Sequence, residues 1–301
     1  MERSNSIFIS ISLLLLSLLL VQCAGTQDTA YIKEIDDWHK KRVERLKQKD
    51  SWFSLAGLFH LKEGINTFGS NKSNDLIFPE KAAPYMGEII LTEGKAVLKA
   101  KDGVRITVND SAVAKMNLKS DADGRPTVLA NGSFSWYVIK RGESFLVRLK
   151  DSENPAISEF TGIDRFKVDS DWRIKARFEE YNPAKKIVIP NVLGQSSEET
   201  CPGALVFEID GTVYRLDPLA KSKNDNFFII FSDETSARET YGAGRFLSAA
   251  KLDENGETFI DFNKAVNPPC AFSDYATCPL PPKQNHIPVE VTAGEKKYGH
   301  H

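Results

Sequence analysis

The sequence predicts a mainly β protein: an antiparallel β-sandwich or barrel-like body, one N-terminal amphipathic helix before it and an irregular Pro/Cys-rich loop after it. Three observations lead there. Beyond Ser54, short alternating apolar runs are divided by Gly, Asn and Asp turns, the period-two pattern of half-buried antiparallel strands. Residues 31–50 alone carry apolar side chains at steps of three and four amid dense charge, as an amphipathic helix does. From Asp261 onward, prolines crowd around Cys270 and Cys278, and a backbone with fixed φ and missing donors is held by side chains, not by a ladder.

At the N-terminus, Ile7 to Val21 contains only Ile, Phe, Leu, Val and Ser, and ends at Gln22-Cys23-Ala24-Gly25. The run is too short to cross a bilayer and turns polar at once, so residues 1–23 read as a signal peptide. Its end resembles a bacterial lipoprotein signal, which would make Cys23 the lipidated first residue of the mature chain, with residues 24–30 as a tether. Gln22 departs from the small residue usual before that cysteine, and ordinary cleavage after Gly25 is the alternative. The expected location is therefore the cell envelope, facing the periplasm or the outer surface, with a membrane as partner through the N-terminal lipid.

In the helix, the expected stripe is Ile32, Ile35, Trp38, Val43 and Leu46, with His39 a solvated surface residue. Strands follow in Glu88–Leu91, Lys95–Leu98, Val104–Val108, Ser133–Ile139, Phe145–Leu149, Trp172–Phe178, Lys186–Ile189, Leu205–Ile209, Thr212–Leu216 and Phe227–Phe231. Turn residues accumulate between Asp151 and Asp171 and suggest two β-rich subdomains, 51–160 and 161–298. The hairpins around Gly142 and Gly211 look alike, which ordinary hairpin patterning explains. Charged residues make up 27% and the formal charge is −2, a balance that points to no nucleic-acid partner.

Several stretches resemble a known family. Tyr241-Gly-Ala-Gly-Arg-Phe-Leu, Asp261-Phe-Asn, Asn267-Pro-Pro-Cys-Ala-Phe, Cys278-Pro-Leu-Pro-Pro and Ala293-Gly-Glu-Lys are similar to the domain-of-unknown-function family 1684. Upstream, Trp52–Leu61, Gly69–Pro79, Arg148–Asp151 and Phe231–Thr235 follow the family order. The resemblance implies no activity or catalytic residue. Separately, Thr67–Pro79 resembles the opening of forkhead-associated domains, which are β-sandwiches that read phosphothreonine. Here Ser70 stands where those domains carry an arginine, so that likeness implies sandwich geometry and not phosphopeptide reading.

No nucleophile elbow, zinc-protease helix, phosphate loop or complete dinucleotide fingerprint occurs, so the sequence assigns no cofactor and no catalytic residue. The expected site lies around Tyr241. Gly242 and Gly244 would let backbone N–H groups face an anion, Arg245 adds a planar fork, and Asp233, Asp261 and Asn267 would complete a pocket for an acidic small molecule. Against this stands an Arg245–Asp261 ion pair that merely fixes the terminal loop. Cys270 and Cys278 are read as a short disulfide or two buried thiols, in preference to zinc ligands joined by His286. The two functions in play are an exported enzyme or small-ligand binder, and an envelope interaction protein.

Overall fold

A computed structural model describes residues 29–299. The signal segment, Cys23, most of the tether, and His300 and His301 lie outside the described residues. The chain is mainly β, with antiparallel sheets that curl into half-barrels and one long helix at the start. That helix, α1, covers residues 29–46. Its buried stripe is Tyr31, Ile35 and Leu46, with Trp38 and Val43 half-buried. Ile32 is exposed: a stripe through Ile35 and Leu46 returns to Tyr31, four residues before Ile35, and not to Ile32. His39 is half-buried instead of solvated, and its pKa is lowered chiefly by burial, with Arg165 adding repulsion.

The first half contains β1 (Leu55–His60), β2 (Gly64–Gly69), β3 (Leu76–Ile77), β4 (Gly87–Thr92), β5 (Lys95–Ala100), β6 (Thr107–Val108), β7 (Ser111–Ala112), β8 (Lys115–Leu118), β9 (Leu129–Asn131), β10 (Phe134–Arg141) and β11 (Ser144–Asp151). They form two sheets, ordered β1-β11-β10-β9-β6-β7 and β3-β2-β4-β5-β8. Alternation decides what each buries. Trp136 and Val138 of β10 with Val147 and Leu149 of β11 meet Phe68, Ile89 and Leu98 of the other sheet in one cluster. Trp136 is fully enclosed there, edge-on to Phe78 at 5.5 Å between ring centroids. The opposite face of β11 then presents Leu146 and Arg148 away from this core.

The second half contains β12 (Arg173–Pro190), β13 (Ser196–Ile209), β14 (Thr212–Leu216), β15 (Phe227–Asp233), β16 (Arg245–Ala249), β17 (Glu257–Asp261) and β18 (His286–Ile287). The sheets are β14-β13-β12-β17 and β16-β15-β18. Their inner faces share Ala176, Leu205, Phe207, Phe227, Ile229, Phe231, Leu247 and Ile260, closed by Phe262. Two runs expected as separate strands, Trp172–Phe178 and Lys186–Ile189, are one long strand whose register against β13 shifts between Glu180 and Lys185. The irregularity absorbs the interruption in pattern that Asn182 and Pro183 cause, because two long strands can bend at a bulge without parting. A five-residue helix, Pro155–Glu159, capped by the Asn154 side chain, sits between the halves.

Helix α1 is fastened to the second half. The Tyr31 hydroxyl donates to Asp261 at 2.7 Å, Lys264 reaches Glu34 at 2.7 Å, and Arg42 Nε donates to Glu295 at 3.1 Å. Leu46 enters an aromatic cluster of Phe53, Phe160, Phe272 and Tyr298.

Candidate functional site

The residues expected to form one pocket are divided among separate places. Arg245 opens β16 and is completely enclosed. Its guanidinium donates to Asp233 at 2.8 Å, to the Val291 carbonyl at 3.0 Å and to the Ala293 carbonyl. Asp233 also accepts from the backbone and hydroxyl of Thr235, at 2.8 and 2.6 Å. The pair is buried and its hydrogen bonds go to protein groups, so burial lowers the Arg245 pKa while Asp233 opposes the shift. Arg245 pairs with Asp233 and not with Asp261. Asp261 lies instead beneath α1, taking the Tyr31 hydroxyl and Lys264.

The glycine turn serves packing. Gly244 donates its N–H to the Tyr241 carbonyl at 3.1 Å, which removes it as an anion donor. Its φ is +83°, and an added Cβ would come within 2.4 Å of the Phe231 carbonyl oxygen, so only glycine fits. At Gly242, an added Cβ would meet Ala237 at an ordinary 3.4 Å. Asn267 braces the terminal loop: its amide donates to the Lys296 carbonyl, and its backbone N–H to Glu295, both at 2.7 Å.

Tyr241 faces a different neighbourhood. It is half-buried beside Cys270 and Cys278, and burial, then the two sulfurs, raise its pKa. The cysteines are free and face each other. The Cys270 N–H donates to Cys278 Sγ at 3.0 Å and the Cys278 N–H to Cys270 Sγ at 3.3 Å. His286 is elsewhere, between Ser232 and Glu234 at 3.1 Å from each, so the three spaced residues do not converge.

Next to the thiols lies a cavity of about 120 Å³, lined by Trp52, Arg141, Arg148, Phe246, Pro269, Thr277, Cys278 and Pro279. A second recess of about 340 Å³ shares Arg141, Thr277 and Pro279 with it. The strand period explains Arg148: with Val147 and Leu149 committed to the first core, Arg148 must face the terminal loop. It is only 4% exposed. One guanidinium nitrogen donates to the Thr277 hydroxyl at 2.9 Å, and the group lies over the Trp52 ring at 5.9 Å. Its Nε has no hydrogen-bond partner, and among the described residues no carboxylate pairs with it. Arg141, by contrast, is held by Asp121 at 2.7 Å and donates to Thr277 at 3.1 Å.

A buried guanidinium without a counter-ion is costly, and here it shares a cavity with an apolar wall and a hydroxyl. Such a recess can accept a small anion or stabilise a nearby thiolate. Neither Arg141 nor Thr277 was flagged by the sequence. The available signal was Arg148 itself, a cation inside the apolar run Phe145–Leu149.

Residues 158–296 match the family model described as a protein of unknown function, DUF1684. The upstream stretches Trp52–Leu61, Gly69–Pro79 and Arg148–Asp151 lie outside that match. Among solved structures, an uncharacterized protein of Haloarcula marismortui determined by NMR is 28% identical, covering 48% of this chain and 80% of its own, at a TM-score of 0.40. A forkhead-associated domain studied for phosphothreonine-dependent interactions is 16% identical over 31% of this chain and 92% of its own, at a TM-score of 0.20. The FhaA forkhead-associated domain, solved with the intracellular domain of Rv3910, is 17% identical over 30% of this chain and 96% of its own, also at 0.20. No curated protein matches.

Proposed function

We propose that the protein is an exported, lipid-anchored binder of a small anion, and that the anion sits in the cavity walled by Arg148, Arg141 and Thr277. The observation that carries this reading is Arg148: nearly enclosed, lacking a carboxylate partner among the described residues, with Nε unsatisfied beside a cavity. A carboxylate or oxyanion would supply the missing charge, and Thr277 a hydroxyl. Against the pocket expected at Arg245 stands the Asp233 partner already in place there. The apolar run Ile7–Val21 before Cys23 supports the export and anchoring part of the proposal.

Thermal unfolding tests the assignment with formate, acetate, bicarbonate, phosphate, sulfate and small dicarboxylates. Wild type should gain stability with at least one anion, by about 2.7 kcal/mol at a hundredfold excess over Kd. Arg148→Lys keeps the charge but loses the fork and should lose most of that gain. Absence of stabilisation by every anion, or equal stabilisation of Arg148→Met, overturns the proposal. A second reading, a docking surface for an envelope partner, is favoured by Val188, Val192 and Leu193, exposed on and beside the β12–β13 ribbon.

A further inference from the structure

The thiol pair carries a chemistry that anion binding does not use. Cys270 and Cys278 lie on the Pro/Cys loop with each backbone N–H aimed at the other sulfur, which holds the two side chains face to face. Their environments differ. Cys270 is half-buried, whereas Cys278 is 4% exposed and lines the cavity. The hydrogen bond from Cys278 holds the Cys270 thiol below its ordinary range against the effect of burial, and Arg148 acts in the same sense. The same hydrogen bond, then burial, pushes the Cys278 thiol up. The more open sulfur is thus the easier of the two to deprotonate and the enclosed one the harder. Cys201 shows the contrast. It is fully buried, bonded to the Gly203 carbonyl, with its thiol raised to about 11 by burial and then by Asp217.

We propose that Cys270 and Cys278 form a reversible dithiol–disulfide couple that exchanges with small-molecule disulfides, Cys270 attacking and Cys278 resolving. Cys270 Sγ, its proton lost to solvent, attacks one sulfur of R–S–S–R. The Cys270–S–S–R bond forms and RS⁻ leaves. Cys278 gives its proton to the departing thiolate, and its Sγ attacks Cys270 Sγ, closing the protein disulfide and expelling the second RS⁻, which takes a proton from solvent. The pair loses two electrons and two protons, and the small disulfide becomes two thiols. Excess thiol runs the sequence backward. The N–H donors on both sulfurs stabilise developing thiolate charge in either direction, and Arg148 adds to this at Cys270. The inference is independent of anion binding, because it rests on the reciprocal sulfur contacts and not on the cavity.

Peptide-resolved mass spectrometry of the full chain tests it. The reduced protein is treated with oxidised glutathione at neutral pH, then returned to excess reduced glutathione, with unreacted thiols alkylated. Wild type should form an intramolecular Cys270–Cys278 disulfide and lose it again. Cys278→Ser should accumulate the mixed disulfide at Cys270. Cys270→Ser should form adducts at least about tenfold more slowly, and Cys201 should alkylate at least about tenfold more slowly than Cys270. Cys278→Ala and circular dichroism check that each variant is folded. The half-maximum of Cys270 alkylation should fall at lower pH than for a free cysteine and move upward in Arg148→Met. A disulfide that resists reduction in the folded protein, first labelling at Cys278, or no exchange in a folded wild type overturns the proposal. These readouts are bond formation at sulfur, so they fail or succeed separately from the anion-induced change in Tm.

Discussion

Two buried arginines show how a single residue's surroundings decide its role. Arg245 sits in a motif rich in glycine and acids, which in sequence reads as an anion cradle, yet Asp233 and two carbonyls take its two terminal nitrogens, leaving Nε alone unpaired, as it is in Arg148. Arg148 sits in a plain apolar strand and has a cavity beside it. The difference is one of neighbours brought from elsewhere in the chain, Asp233 in one case and Thr277 in the other. Arg245→Met should leave Asp233 charged and enclosed, and urea denaturation should show a loss of about 3–5 kcal/mol. The double variant with Asp233→Leu should lose less than the sum of the single changes, since it removes both buried charges. An unchanged midpoint in Arg245→Met would contradict the structural role.

At the scale of elements, the terminal loop and helix α1 brace one another. Glu295 is 1% exposed and takes Arg42 and the Asn267 backbone, while Arg42 also donates to the Asn267 carbonyl and lies over Phe272. Asn267→Ala should cost on the order of 1–3 kcal/mol in chemical denaturation, because the Lys296 carbonyl loses its donor. Burial raises the Glu295 pKa even though Arg42 and the Asn267 N–H oppose it. A carboxyl raised in the folded state binds more protons there than in the unfolded chain. Its contribution is therefore full below the ordinary carboxylate range and is lost as pH rises through the folded value. Arg42→Met removes the leading opposing charge and widens that window upward, so its destabilisation should be larger at pH 8 than at pH 5. A pH-independent difference between variant and wild type would refute the coupling. The Gly244 turn belongs to the same scale: it lets β16 pass within contact of Phe231, which is how Arg245 reaches Asp233.

On the scale of the molecule, the cavity at Arg148 exists only because two halves and the terminal loop meet. β10 and β11 bring Arg141 and Arg148, the turn before β1 brings Trp52, β16 brings Phe246, and the loop brings Thr277 and Cys278. The expected tether adds a membrane to this picture. Labelled fatty acid fed to producing cells should appear on the mature chain and vanish in Cys23→Ala, while a soluble form beginning at Thr26 would refute the anchor. The sequence by itself determined the mainly β character, the helix before the sheets and about half of the strand positions, because alternation of apolar and polar residues is a local signal that each strand carries within itself. The family motifs between Tyr241 and Ala293 were legible for the same reason, as were the cysteines and the loop that holds them. The strands Leu55–His60, Gly64–Gly69, Lys115–Leu118, Arg245–Ala249 and Glu257–Asp261 were not singled out, since each is short and bounded by turn residues. Only the tertiary structure decided which charged side chains pair, that Tyr31 replaces Ile32 in the helix stripe, and that Arg148 rather than Arg245 adjoins open space. Burial and partnership arise between residues as much as 253 positions apart, as Arg42 and Glu295 are, and no local pattern encodes which of several cations will find its carboxylate.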